Sequence, residues 1–195
     1  MMKRLIVTTL TFALCAGAAD YQVHLTPENT QLRWTLGAVL HTVQGTFAMR
    51  RGEIAVNTET GKASGEVVVD ATSGESGSKA RDEKMHRDVL ESARYPEISF
   101  VPDRLEGKIA PAGVSRIKLF GKLRIHGAEH EIAVPVEVRV NGQMLETDLH
   151  FDIPYVVWGM KDPSTLFLRV NKSVAIDLRA SVHLAETVAV PSGAR

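Results

Sequence analysis

The feature that most constrains this chain is an alternation of apolar and polar residues that dominates the sequence from Leu32 almost to the end. A period of two marks β-strands that bury one face and expose the other. The apolar positions in the clearest runs are Ile117, Leu119, Leu123 and Ile125, then Ile132, Val134, Val136, Val138 and Val140. The chain is therefore predicted to be all-β.

The connections between these runs are short, which predicts antiparallel pairing. Asn141-Gly142 between two alternating runs predicts a hairpin with positive φ at both central positions. So many apolar faces can be hidden between two sheets or inside one sheet closed on itself, and closure also removes exposed edges. We predict a single extended antiparallel β-barrel.

One polar segment, 73–93, breaks the alternation. Ser78 is a suitable helix cap, and Met85 and Val89 lie four residues apart on one helical face. A short helical excursion near residues 76–93 is predicted. It can serve as a lid over the barrel mouth or as a surface connection packed on the wall.

The N-terminus has the pattern of a secretory signal peptide, with Lys3 and Arg4 before an apolar run and a small-x-small site at Ala16-Gly17-Ala18. The run is about a dozen residues, shorter than the roughly 20 that a transmembrane helix needs. We expect residues 1–18 to be removed with Cys15, 19–185 to form the barrel, and 186–195 to be a tail. The protein would then be periplasmic or secreted.

The 23 basic and 23 acidic side chains balance each other. Nothing in this charge distribution calls for nucleic acid as a partner. We expect no nucleic-acid binding and no stable membrane insertion, and a homodimer is compatible with the sequence.

Four motifs resemble those of the YceI-like family of periplasmic polyisoprenoid-binding proteins. They are His41-Thr42-Val43-Gln44-Gly45-Thr46-Phe47, Arg81-Asp82, Tyr95-Pro96-Glu97-Ile98-Ser99-Phe100, and Gly121-Lys122-Leu123-Arg124-Ile125-His126-Gly127. The resemblance implies a lipocalin-like barrel that holds an isoprenoid tail. Polyprenyl and quinone-like compounds are the ligands it suggests.

Bulky residues on the inward phase are candidates for the pocket wall, although plain core packing uses the same residue types. They are Trp34, Phe47, Phe100, Leu123, Val136, Val138, Phe151 and Ile176. Tyr155 and Trp158 belong to a segment without alternation, which can line the mouth or cap the barrel end. His41, Arg81 and His86 are candidates for contact with a polar head group.

Motifs for catalysis are weak in this chain. Gly74-Glu75-Ser76-Gly77-Ser78 lacks the last glycine of a hydrolase elbow, and His126 and His130 lie in a predicted hairpin, where they do not share a helical face. We interpret both histidines as turn and surface residues. The sequence favours a binding protein without catalytic residues, metal or cofactor; a barrel-scaffold lipid hydrolase or isomerase, or a sealed barrel with protein partners, are the alternatives.

Overall fold

The computed structural model describes residues 20–39, 41–165 and 169–184, so the predicted signal peptide and tail lie outside the described residues. The described chain forms ten β-strands. They are β1 (Asp20–Leu25), β2 (Thr30–Leu36), β3 (Val43–Phe47), β4 (Met49–Asn57), β5 (Lys62–Asp70), β6 (Glu97–Glu106), β7 (Gly113–Ile125), β8 (Ala128–Asn141), β9 (Met144–Ile153) and β10 (Val174–His183).

All ten strands belong to one curled sheet in the order β1-β4-β5-β6-β7-β8-β9-β10-β2-β3. Every pairing in this order is antiparallel. The alternating residues of each strand put their apolar side chains on the concave face, as the period of two requires. The predicted fold class, a single antiparallel barrel of lipocalin type with one short helical excursion, is confirmed.

The barrel closes through one bent length of chain. β3 pairs with β2 at one end of the sheet, whereas β4 pairs with β1 and β5 near the other end. Only Ala48 separates β3 from β4. The two ends of the sheet are therefore joined covalently at this bend, and among the described residues β1 and β3 share no ladder.

Backbone hydrogen bonds from the chain that follows β5 hold the bend in place. Thr46 and Glu75 form a two-way bridge, with N···O distances of 2.9 and 3.1 Å. The amide of Ala48 donates to Ser73 Oγ at 2.8 Å, and the carbonyl of Ala48 accepts from the amide of Asp70 at 3.0 Å. These bonds satisfy groups that an unpaired strand edge would leave exposed.

Two tight turns orient the long strands β7, β8 and β9. His126 and Gly127 join β7 to β8 with φ values of 51° and 77°, the positive values that a type I′ turn requires. The hairpin predicted at Asn141-Gly142 is confirmed and joins β8 to β9, but the predicted position of its turn is wrong by one residue. Asn141 still pairs with Met144, so the central residues are Gly142 (φ 59°) and Gln143, and only the first has positive φ.

The helical excursion consists of α1 (Lys79–Lys84) and a π-helical turn at Met85–Val89. Ser78 stands at the cap position, but its side chain makes no capping bond; its carbonyl accepts from the amides of Arg81 and Asp82 instead. The wider turn arises because the amide of Leu90 donates to the carbonyl of Met85, five residues back, at 2.9 Å. No helix in the described ranges is long and apolar enough to cross a bilayer.

Candidate functional site

The barrel encloses a cavity of about 310 Å³. This volume lies at the small end of the roughly 300–1,000 Å³ that is typical of ligand pockets. Ile117 and Ile125, eight residues apart on β7, both line it. Eight residues of β-strand span about 27 Å. The cavity therefore runs along much of the barrel, and a sealed barrel, which requires a filled interior, does not fit this structure.

The wall of the cavity consists almost entirely of carbon atoms. Aliphatic and aromatic side chains from all ten strands supply most of it. The lining residues that carry a polar or charged side-chain group are Tyr21, Trp34, Arg81, Lys84, Ser99, Thr147 and Tyr155. Because the exposed wall is carbon, these residues face the cavity mainly with their methylene, methyl and ring atoms.

Nine of the ten residues predicted as pocket candidates line this cavity. They are Trp34, Phe47, Phe100, Leu123, Val136, Val138, Phe151, Tyr155 and Ile176. Trp34 is 5% exposed, and its indole lies over Gly45 on the neighbouring strand, where an added Cβ would come within 2.4 Å of the ring. Glycine at position 45 therefore makes room for the tryptophan.

Trp158 is the exception among the pocket candidates, because it does not line the cavity. It stacks on His130, with ring centroids 3.9 Å apart and an interplanar angle of 5°. His130 was interpreted as a surface residue, and this is wrong: it is half-buried and its Nε2 atom is buried without a partner. His130 continues the inward phase of Ile132 and Val134, and this register was the signal that could have placed it.

The structure places only one of the three head-group candidates in the lining of the cavity. Arg81 lines the cavity beside Lys84, while its Nη1 donates to Ser76 Oγ at 3.2 Å. His41 is exposed and lies outside the lining. His86 is also outside the lining, because its ring nitrogens lie 3.0 Å from Ser92 Oγ and 2.8 Å from the carbonyl of Gly74. His86 fixes the loop to the helical segment and does not face the cavity.

One end of the cavity is covered by two segments that meet. Met85, Val89 and Leu90 of the helical excursion line this end, and so do Met160 and Pro163 from the β9–β10 connection. Lys84 Nζ donates to the carbonyl of Pro163 at 3.0 Å, which links the two covers. The excursion therefore packs over the cavity rather than only against the outer wall.

Tyr155 fixes the second cover to the rim of the barrel. Its side chain is buried, with 4% exposed, and its hydroxyl donates to the carbonyl of Asn171 at 2.7 Å. Burial, and to a lesser extent the negative charge of Asp162, raise the pKa of Tyr155 to about 12. The hydroxyl therefore stays protonated and keeps donating this bond at neutral pH.

Sequence reasoning missed several lining residues outside the regular strands that it assigned. Tyr21 and Val23 come from β1, Ile109 from the β6–β7 connection, and Leu90 and Met160 from the two covers. β1 does alternate, with Tyr21, Val23 and Leu25 on the cavity side, so its period was a usable signal, whereas the covers have no period at all. Only the apolar character of Ile109, Leu90 and Met160 could have indicated them.

The described residues contain no group of three or more histidine, cysteine or acidic side chains that could hold a metal ion. A curled antiparallel sheet around one apolar cavity is the architecture of barrels that enclose a small apolar ligand. The profile of the YceI-like domain matches residues 23–182. The chain belongs to the YceI-like family.

Solved structures agree on the fold. BcnA from Burkholderia cenocepacia has 21% identity and a TM-score of 0.64 over 78% of this chain and 96% of its own. A polyisoprenoid binding domain from Saccharophagus degradans, implicated in plant cell wall breakdown, has 14% identity and a TM-score of 0.64 over 87% and 100%. The YceI protein of Campylobacter jejuni has 13% identity and a TM-score of 0.55 over 95% and 100%. Comparison with curated proteins gives no match.

Proposed function

We propose that this protein binds a long apolar molecule of the isoprenoid class, a polyprenyl or quinone-like lipid, inside its barrel and catalyses no reaction on it. The observation that carries the proposal is the long cavity whose wall is almost entirely carbon. Such a wall binds a hydrocarbon chain and offers a polar substrate nothing. The similar domain from Saccharophagus degradans is described as polyisoprenoid binding, which supports the ligand class.

Apolar burial is strong enough to retain such a ligand. Each buried methylene contributes about 0.8 kcal/mol, so a five-carbon unit contributes roughly 3 to 4 kcal/mol. Association itself costs about 4 to 15 kcal/mol. Two or three units only offset this cost, whereas a longer tail is held firmly, and the polar head group then lies outside the carbon-lined cavity.

The cavity lacks the arrangement that proton transfer requires. Its titratable lining residues are Tyr21, Arg81, Lys84 and Tyr155. The Tyr155 hydroxyl is already bonded to the backbone, and Lys84 is bonded to Pro163. No histidine or carboxylate is among the described lining residues, so no base stands beside a nucleophile there. This is the argument for binding over an enzyme on the same scaffold.

Transport or storage outside the cytoplasm is the role that we propose for this binding. It rests on the sequence pattern of residues 1–18, whose removal near Ala18 would release the barrel into the periplasm or the medium. Mass analysis of the N-terminus of the exported protein tests it directly. A chain beginning at Ala19 or Asp20 is expected, and a chain that retains residues 1–18 would contradict the proposal.

Native mass spectrometry of the purified protein tests the ligand. We expect a stoichiometric apolar adduct that organic extraction releases and that has the mass of an isoprenoid lipid. If the protein is empty, polyprenyl alcohols of increasing length are added back, and retention should rise with length. Failure to retain any of them would overturn the proposal.

A variant that fills the cavity tests whether the ligand lies inside the barrel. Val136→Phe places a ring into the space that the tail would occupy, so retention should fall. The loss of stability should not exceed the roughly 1 to 3 kcal/mol of overpacking a filled core, because this space is empty. Val114 is 50% exposed on β7, and Val114→Phe adds the same ring outside the cavity. Equal retention by both variants would place the ligand elsewhere.

A further inference from the structure

Three segments at the covered end of the barrel form one connected surface, which we call the rim: residues 37–39, 154–165 and 169–173. The amide of Val39 donates to the carbonyl of Arg169 at 3.2 Å, and the amide of Asn171 donates to the carbonyl of Gly37 at 2.8 Å. The amide of Val156 donates to the carbonyl of Lys172 at 3.4 Å. The rim is therefore held together by its own backbone.

Two valines of the rim are the most exposed large apolar residues in the described chain. Val157 is 80% exposed and Val39 is 76% exposed, against 45% and 50% for Val101 and Val114 on the strands. Isolated exposed apolar residues are common. These two differ because their own segments line or border the cavity: Tyr155, Met160 and Pro163 face inward on the segment that turns Val157 outward.

The charges of the rim are mostly positive. Lys161, Arg169 and Lys172 are exposed, and Asp162 is the acidic residue among them. The pKa of Asp162 is lowered first by a hydrogen bond from the Ser164 side chain, then by the bond from the Ser164 amide at 2.9 Å, with Lys172 as a further cause. On the neighbouring π-helical turn, Asp88 pairs with Arg87 at 3.0 Å. The backbone bonds place Arg169 beside Val39 and Lys172 beside Val156, the neighbour of Val157, so a basic residue adjoins each exposed valine.

We infer that the rim docks on the surface of an anionic phospholipid bilayer, with Val39 and Val157 entering the interface and the cations facing lipid head groups. Apolar tips flanked by basic side chains are the pattern by which proteins bind such surfaces without crossing them. The inference rests on the proposed function, since a barrel that holds an insoluble lipid needs a route to the membrane. Docking there places the covered end of the cavity against the bilayer.

Co-sedimentation with vesicles tests the inference on the purified full protein. Vesicles of equimolar phosphatidylcholine and phosphatidylglycerol are compared with vesicles of phosphatidylcholine alone. We expect wild type to bind the anionic vesicles more tightly. Lys161→Gln and Lys172→Gln should each weaken binding about fivefold, as expected for about 1 kcal/mol per basic residue near an anionic surface. Val157→Asp should weaken it further.

Val114→Asp is the matched control, because Val114 lies at the start of β7, the end of the barrel away from the rim. It should bind vesicles like wild type. Equal binding by wild type, Val157→Asp and Lys172→Gln would overturn the inference. So would a Val157→Asp variant that separates a dimer into monomers in analytical ultracentrifugation without changing vesicle binding, because the rim would then be an interface between two copies.

The same preparations separate this inference from the proposed function. Retention of a polyprenyl alcohol supplied in detergent should be unaffected in Val157→Asp, since this side chain does not line the cavity. Wild type that retains the alcohol but ignores vesicles refutes docking alone. Wild type that binds vesicles through the rim but retains no isoprenoid refutes the proposed function alone.

Discussion

The exposure of a side chain in this barrel depends on which face of its strand it occupies. Val136 is 7% exposed and lines the cavity, while its neighbours Pro135 and Glu137 face outward or lie partly exposed. A charged substitution should therefore cost much stability at an inward position and little at the outward position next to it. The same logic applies to His130, whose even-numbered place on β8 turns it inward against Trp158.

Val136→Asp should destabilise the protein by at least about 2 kcal/mol, because the carboxyl group has no partner in an apolar cavity. The midpoint of urea unfolding measures this loss. Val114→Asp, on an exposed position of the same sheet, should leave the midpoint nearly unchanged. An unchanged midpoint for Val136→Asp would show that the inward phase of β8 is assigned wrongly.

His130→Ala should also cost stability, on the order of 0.5 to 1.5 kcal/mol, because it removes a stacked ring from Trp158. His183 is exposed at the last position of β10, so His183→Ala is a suitable reference. Thermal unfolding of the two variants provides the comparison. If both variants unfold at the same temperature as wild type, the stack contributes nothing.

The raised pKa of Tyr155 predicts how the stability of the protein changes at alkaline pH. Its pKa in the folded protein is about 12, above the value near 10 of an unfolded chain. The unfolded state therefore loses its proton first, so the stabilisation is complete below about pH 10 and is lost as the pH rises toward 12. Tyr155→Phe should be less stable at pH 7, for want of the bond to Asn171, and should lose less stability between pH 10 and 12 than wild type.

At the scale of elements, the long strands and the helical excursion were predictable, whereas the exact turn after β8 was not. The alternation in β7 through β10 determines strand, face and antiparallel pairing because one face of each strand is buried. The turn after β8 was displaced by one residue, since Asn141 extends the ladder and the bend begins at Gly142. Backbone pairing outweighed the preference of the Asn-Gly pair for the two central positions.

The two hairpin turns allow a paired test. Gly127 has φ 77° and lies against Tyr95, where an added Cβ would come within 2.5 Å of the ring, whereas Gly142 has φ 59° and open space around it. Gly127→Ala should therefore cost more than Gly142→Ala, which carries only the backbone strain of about 1 to 2 kcal/mol. Urea unfolding compares them, and equal losses would mean that Tyr95 moves aside freely.

At the scale of the whole molecule, the alternation indicated a closed barrel but not how it closes. Closure depends on contacts distant in sequence, such as the bridge between Thr46 and Glu75, and no local pattern encodes them. The cavity wall was largely predictable from strand phase. The parts supplied by the two covers were not, because irregular chain carries no periodicity, and Trp158 was misplaced for this reason.

The carbon wall of the cavity also determines how the bound molecule would behave once inside. Without a polar group to fix its position, a hydrocarbon chain can slide lengthwise, because every position along the wall offers nearly the same contact. Recognition would then depend on the width and length of the hydrocarbon chain rather than on its chemical identity. Several homologous lipids would share the barrel, and their binding should show a negative heat-capacity change that grows with each added carbon.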